Sequence, residues 1–117
     1  MKLSIKGRVP SKKNSRINTR SGRSFPSKKY TEWHEDASWQ LFPQKKKMGI
    51  DRCQVKLMFY MPDMIRADLT NKAESIMDLL VDIGVITDDR WQVVRPLLLD
   101  AELDRDNPRC EITINTI

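Results

Sequence analysis

Seven carboxylates lie between positions 63 and 89: Asp63, Asp68, Glu74, Asp78, Asp82, Asp88 and Asp89. Side chains of this type can serve a hard divalent cation. Magnesium takes oxygen ligands, accepts one or two carboxylates and keeps several waters. Held in this way, it activates water and offsets charge on the attacking and leaving oxygens of a phosphodiester. Such a site needs several acids to converge despite their mutual repulsion. The alternative is an ordinary solvated acidic face, and spacing alone leaves both readings open.

Other site chemistries lack their residues. His34 is the only histidine and reads as a half-exposed helix residue with no second histidine to share a metal. Cys53 and Cys110 are far apart, and each falls in an alternating apolar stretch. Both are therefore expected to be buried, reduced thiols. No zinc site and no Cys–His nucleophile pair follows from these residues.

The net charge is +5, and its distribution matters more than its size. Residues 1–31 carry ten Lys/Arg and no acid, whereas residues 63–106 carry eleven acids. One end thus suits a polyanion and the other concentrates carboxylates. Lys12, Lys13, Arg16, Arg20, Arg23, Lys28 and Lys29 are the candidate phosphate contacts. An RNA-binding or general nucleic-acid module would want stacking aromatics among these cations. Only Phe25 and Tyr30 stand there, and Tyr30 reads as core.

The elements that must position these groups follow from periodicity. The chain has 117 residues, which suits one domain over 1–117. Residues 2–9 alternate loosely and predict a strand. Residues 10–27, rich in Ser, Asn, Lys, Arg and Gly, predict a long loop whose segment Arg20–Ser21–Gly22–Arg23 can form a hairpin tip. Tyr30, Trp33, Ala37 and Leu41 recur at helical spacing behind Ser27, a good N-cap, so a helix is expected over 28–41. Trp33 is expected in the core.

Residues 52–61 alternate cleanly and predict a strand. A second helix is expected over 71–83, closed by Gly84. Strands near 91–99 and 109–115 flank an acidic turn around 100–108. The order strand, helix, strand, helix, strand, strand predicts an α+β fold in which two helices pack on a mixed sheet. No apolar run is long enough to span a bilayer, and no apolar core follows the basic N-terminus. A cytoplasmic protein without a membrane partner is expected.

Helix geometry narrows the acids. The apolar stripe of 71–83 centres near Ile76, which puts Glu74 and Asp78 one turn apart on the opposite face. A like-charged pair at this spacing is mildly unfavourable when merely exposed. Glu74 also lies three residues after Asn71 and could complete a capping box there. Asp68 precedes this helix and Asp88–Asp89 follow it, so they can meet only if the intervening loop doubles back.

The stretch Arg66–Ala67–Asp68–Leu69–Thr70–Asn71, the helix carrying Asp78, the turn Gly84–Val85–Ile86–Thr87, the pair Asp88–Asp89 and Val93–Val94 resemble the signature of the RusA family of Holliday junction resolvases. Pro10–Ser11–Lys12–Lys13–Asn14 and Gly22–Arg23 are similar to that family's upstream loop. The resemblance implies a RusA-like fold and a homodimer that cleaves four-way DNA junctions in recombination and repair. It also implies magnesium, with manganese able to replace it.

Asp68 and Asp89 then match catalytic aspartates, with Asn71 beside the site and Asn14 joining the DNA-binding loop. Thr70 stands where members carry a second catalytic Asp, and Glu74 where they carry a lysine. On this reading Glu74 takes over the carboxylate lost at Thr70. The expected metal ligands are Asp68, Asp89, Asp88, Glu74 and Asp78. The rival expectation is a non-catalytic nucleic-acid-binding protein that keeps the fold.

Overall fold

The computed structural model describes residues 1–12 and 16–117. Eight elements follow one another: β1 (Lys2–Lys6), β2 (Arg16–Asn18), β3 (Ser24–Pro26), α1 (Lys28–Leu41), β4 (Cys53–Met61), α2 (Leu69–Asp82), β5 (Val94–Leu103) and β6 (Arg109–Thr116). Four strands form a mixed sheet in the order β1-β6-β4-β5, while β2 and β3 pair separately as a hairpin. β6 runs antiparallel to both β1 and β4, and β5 runs parallel to β4. The helices pack side by side, α1 against β1 and α2 against β5.

Local chemistry accounts for the helix bounds. Ser27 caps α1 by accepting from the Tyr30 N–H at 3.2 Å. Its apolar stripe buries Tyr30, Ala37 and Leu41, with Trp33 partly buried against the core. α2 begins two residues earlier than the spacing of its apolar positions implies. Its N-cap is Asp68, in extended conformation, and Ile83 is the C-cap. Gly84 follows at φ +81°, the left-handed conformation that glycine supplies at a helix end. The proposed capping box at Asn71 and Glu74 is therefore absent, since both residues lie inside the helix.

β4 sits between β6 and β5, so its inward residues Cys53, Val55, Leu57 and Phe59 are fully buried. Both thiols are free and buried as expected, and burial pushes that of Cys110 up to about 12. β1 is shorter than its alternation suggests, because the chain turns at Gly7 (φ +90°). β5 is displaced: Trp91–Val93 form a turn closed by N–H groups of Val93 and Val94 donating to Arg90 O. The strand then runs on to Leu103, because parallel pairing with β4 continues to the Met61–Leu103 pair. The segment expected as an acidic turn around 100–108 thus shrinks to the residues after Leu103.

Candidate active site

The connection from β4 through α2 to β5 is a parallel crossover, and it decides where the acids stand. A helix of 14 residues is about 20 Å long. Asp68 starts it, at the edge of the sheet where β4 ends. That edge is tied down by the Asp104 N–H donating to Met61 O at 2.8 Å and by the Arg8–Asp63 ion pair at 3.0 Å. Asp88 and Asp89 follow the other end of α2. Their loop is pinned to the start of β4: the Thr87 N–H donates to Ile50 O at 3.1 Å, and the Cys53 N–H donates to Val93 O at 2.8 Å. The loop does not double back. Within one chain, Asp68 and the Asp88–Asp89 pair occupy opposite edges of the sheet.

Asp68 is exposed and makes no side-chain cap hydrogen bond, although it holds the N-cap position. Its side chain has a long contact with Asn71, whose Nδ2 donates to Oδ2 at 3.4 Å. The four unpaired N–H groups of the helix start favour negative charge there. Thr70 and Glu74 are exposed on the same helix. At the opposite edge, Asp88 is fully engaged: Oδ1 accepts from the Asp89 N–H at 2.8 Å and Oδ2 from Arg90 Nη1 at 3.1 Å. The Asp89 N–H, more than the nearby arginine, holds the Asp88 carboxyl below the usual range. Asp89 is exposed.

Asp78 has a different setting. Lys12 Nζ lies 2.9 Å from its Oδ1, and the Tyr30 hydroxyl donates to Oδ2 at 3.2 Å. Burial, then the charge of Asp78, raises the Tyr30 pKa, so the hydroxyl remains a donor. One turn along, Asp82 Oδ2 meets His34 Nε2 at 2.9 Å. Tyr30 and His34 on α1 thus face Asp78 and Asp82 on α2, each pair spaced i,i+4. His34, Asp78 and Asp82 bring ligand atoms within 4.8 Å of one another, and among the described residues this is the trio so gathered. Asp68, Glu74, Asp88 and Asp89 are outside it. His34 is half-exposed as expected, but it does have acidic neighbours. The signal was the matched i,i+4 spacing on both helices, which acquires meaning only once the helices are placed together.

Two further residues act on the basic segment. Lys72, nearly fully buried, donates from Nζ to Val9 O, and Ser75 Oγ donates to Pro10 O at 2.7 Å. They fasten the start of the basic segment to α2. Of the candidate DNA contacts, Arg20, Arg23, Lys28 and Lys29 are exposed. Lys28 has a loose surface pairing with Glu32 at 3.8 Å. Lys12 is spent on Asp78. Lys13 and Asn14 lie outside the described residues, and for Arg16 the backbone in β2 is described. The hairpin tip falls at residues 19–23, where the Thr19 N–H donates to Arg23 O at 2.9 Å. Trp39 and Trp91 are exposed, unlike Trp33. No helix among the described residues is long and apolar enough to cross a membrane.

A family model described as "Endodeoxyribonuclease RusA" matches residues 7–115. The crossover junction endodeoxyribonuclease RusA of Aquifex aeolicus (strain VF5) is 30% identical over 79 residues. That stretch is 67% of this chain and 63% of the relative, so the chain spans less than two thirds of the protein it matches.

Proposed function

The chain belongs to the RusA family of endodeoxyribonucleases, and from that premise we propose that it cuts branched DNA, such as four-way junctions, as a magnesium-dependent homodimer serving recombination and repair. The observation that carries this reading is Asp68: an exposed carboxylate at a helix N-terminus, free of the capping bond that would explain it structurally. Asp68, Asp89 and Glu74 offer the hard oxygen donors that magnesium takes, and manganese accepts the same donor set. Bound there, the metal would activate water and offset charge on the scissile phosphate.

The separation of Asp68 from Asp88–Asp89 makes the dimer part of the reading. β5 is an edge strand of the described sheet and exposes Leu97, Leu98 and Leu103. Arg95 stands near its start, and Asp100 and Glu102 near its end. Antiparallel pairing of this edge with a second copy sets unlike charges opposite one another and covers a strand otherwise prone to stray pairing. It also brings the start of one β5 beside the end of the other. Asp89 of one copy then approaches Asp68 of the other, twice over, which suits a two-fold junction. In this arrangement Glu74 is the additional ligand, Asp88 orients its neighbour, and Asn71 steadies Asp68. Asp78 needs release from Lys12 to take part.

The test is nicking of a four-way junction with magnesium, manganese or chelator, by the natural protein and Asp68→Asn. Metal-dependent cutting lost in Asp68→Asn, with junction binding kept, is expected. Binding without cutting under either metal would instead identify a non-catalytic junction-binding protein.

A further inference from the structure

The β2–β3 hairpin forms a sheet of its own. Ile17 and Phe25 are register partners, so their side chains are neighbours on one face. They remain 43% and 44% exposed. The tip beyond them is well fixed: Gly22 takes φ +83°, and Thr19 binds both the Arg23 carbonyl (3.2 Å) and Ser21 Oγ (2.9 Å). Exposed apolar groups on a short ribbon normally act only to hold it shut. Here their surroundings point to an occupant. Arg20 and Arg23 lie at the tip, Lys28 and Lys29 at the root, and residues 1–31 contain no acid. That charge complements a polyanion and disfavours a second copy of this chain at the same place.

We propose that the Ile17–Phe25 pair is a wedge that enters the branch point of the bound DNA while the basic residues around it hold phosphates. Apolar side chains inserted between base steps partly unstack them and bend the duplex. Opening is least unfavourable where stacking is already interrupted, so a wedge of this kind favours a branch over an unbroken duplex. Phe25 and Ile17 become residues that touch the substrate and select it. The inference rests on the branched-DNA reading.

The probe is a four-way junction with 2-aminopurine at the branch or, as a control, within one arm. Binding is measured in chelator, so that no metal-dependent cutting proceeds. A disulfide between Asn18→Cys and Ser24→Cys, register partners in the hairpin, keeps the ribbon closed in every variant. The wild-type sequence should brighten the branch probe and leave the arm probe unchanged. Phe25→Leu should preserve the signal. Phe25→Thr should abolish it and lower the preference for junction over duplex by about tenfold, on the scale of the energy that unstacking one base step involves. A junction-selective protein whose branch probe stays dark, or a bright probe with Phe25→Thr, overturns the wedge alone. A protein with no preference for junctions overturns the wedge together with the reading beneath it.

Discussion

Mixing two inactive variants should restore activity. Asp68→Asn and Asp89→Asn, made separately, each remove one ligand from every site and should each nick poorly. α2, about 20 Å long, separates the two residues within a chain, whereas a metal site spans only a few ångströms. If each site takes Asp68 from one copy and Asp89 from the other, a mixed dimer holds one site with both native aspartates and one with neither. Random assortment makes about half of the dimers mixed, and half of their sites are intact, so about a quarter of the native nicking rate should return. The assay is nicking of a labelled four-way junction by co-expressed variants, with each variant alone as control. Coordinated double cutting should stay low, because a mixed dimer has one working site. A mixture no more active than its components would show that each site is built within one chain, and the β5 pairing would fall with the shared site.

Glu74→Gln should reduce metal-dependent cutting while leaving Tm nearly unchanged, since Glu74 is exposed and caps nothing; Thr70→Asp should return part of the loss, and full activity in Glu74→Gln would remove Glu74 from the site. Changing both Arg20 and Arg23 to Gln should lower the slope of log affinity against log salt by about 2, at about 0.9 per phosphate contact; an unchanged slope would place the DNA on another face. Lys72 has its pKa lowered by burial first and by Arg8 second, against the opposing pull of Asp63. The unfolded chain therefore binds more protons than the folded one over the alkaline range up to the ordinary lysine value, and stability rises with pH there. As pH rises through the alkaline range toward the ordinary lysine value, the Tm of the native protein should gain on that of Lys72→Met; parallel curves would contradict this. Gly84→Ala should destabilise by about 1–2 kcal/mol, since Gly84 is left-handed and a Cβ there meets Met48 Cε at 3.1 Å; denaturant melts check it.

The bounds of α1, the alternation of β4 and the buried thiols could be read directly, because each depends on contacts a few residues apart. Ser27 caps its own helix, and the side chains of β4 alternate wherever that strand is placed. The resemblance around Asp68 and Asp89 likewise marks residue types without needing their positions. The hairpin tip at Arg20–Arg23 could be read from its turn residues, but the extents of the flanking strands could not, since a ribbon with one apolar pair leaves little periodicity. α2 starts at Leu69, behind the N-cap Asp68, because Leu69 enters the helix ahead of the regular apolar stripe.

The trio of His34, Asp78 and Asp82, the pairing of Lys12 with Asp78 and the grip of Lys72 on Val9 all join residues at least 44 positions apart, apart from the single turn between Asp78 and Asp82. No local pattern encodes them. The same holds for the separation of the acids. Residue types around 66–89 identify the acids, but a parallel crossover must carry the chain from one edge of a sheet back to the other. That topology divides Asp68 from Asp89 within one chain.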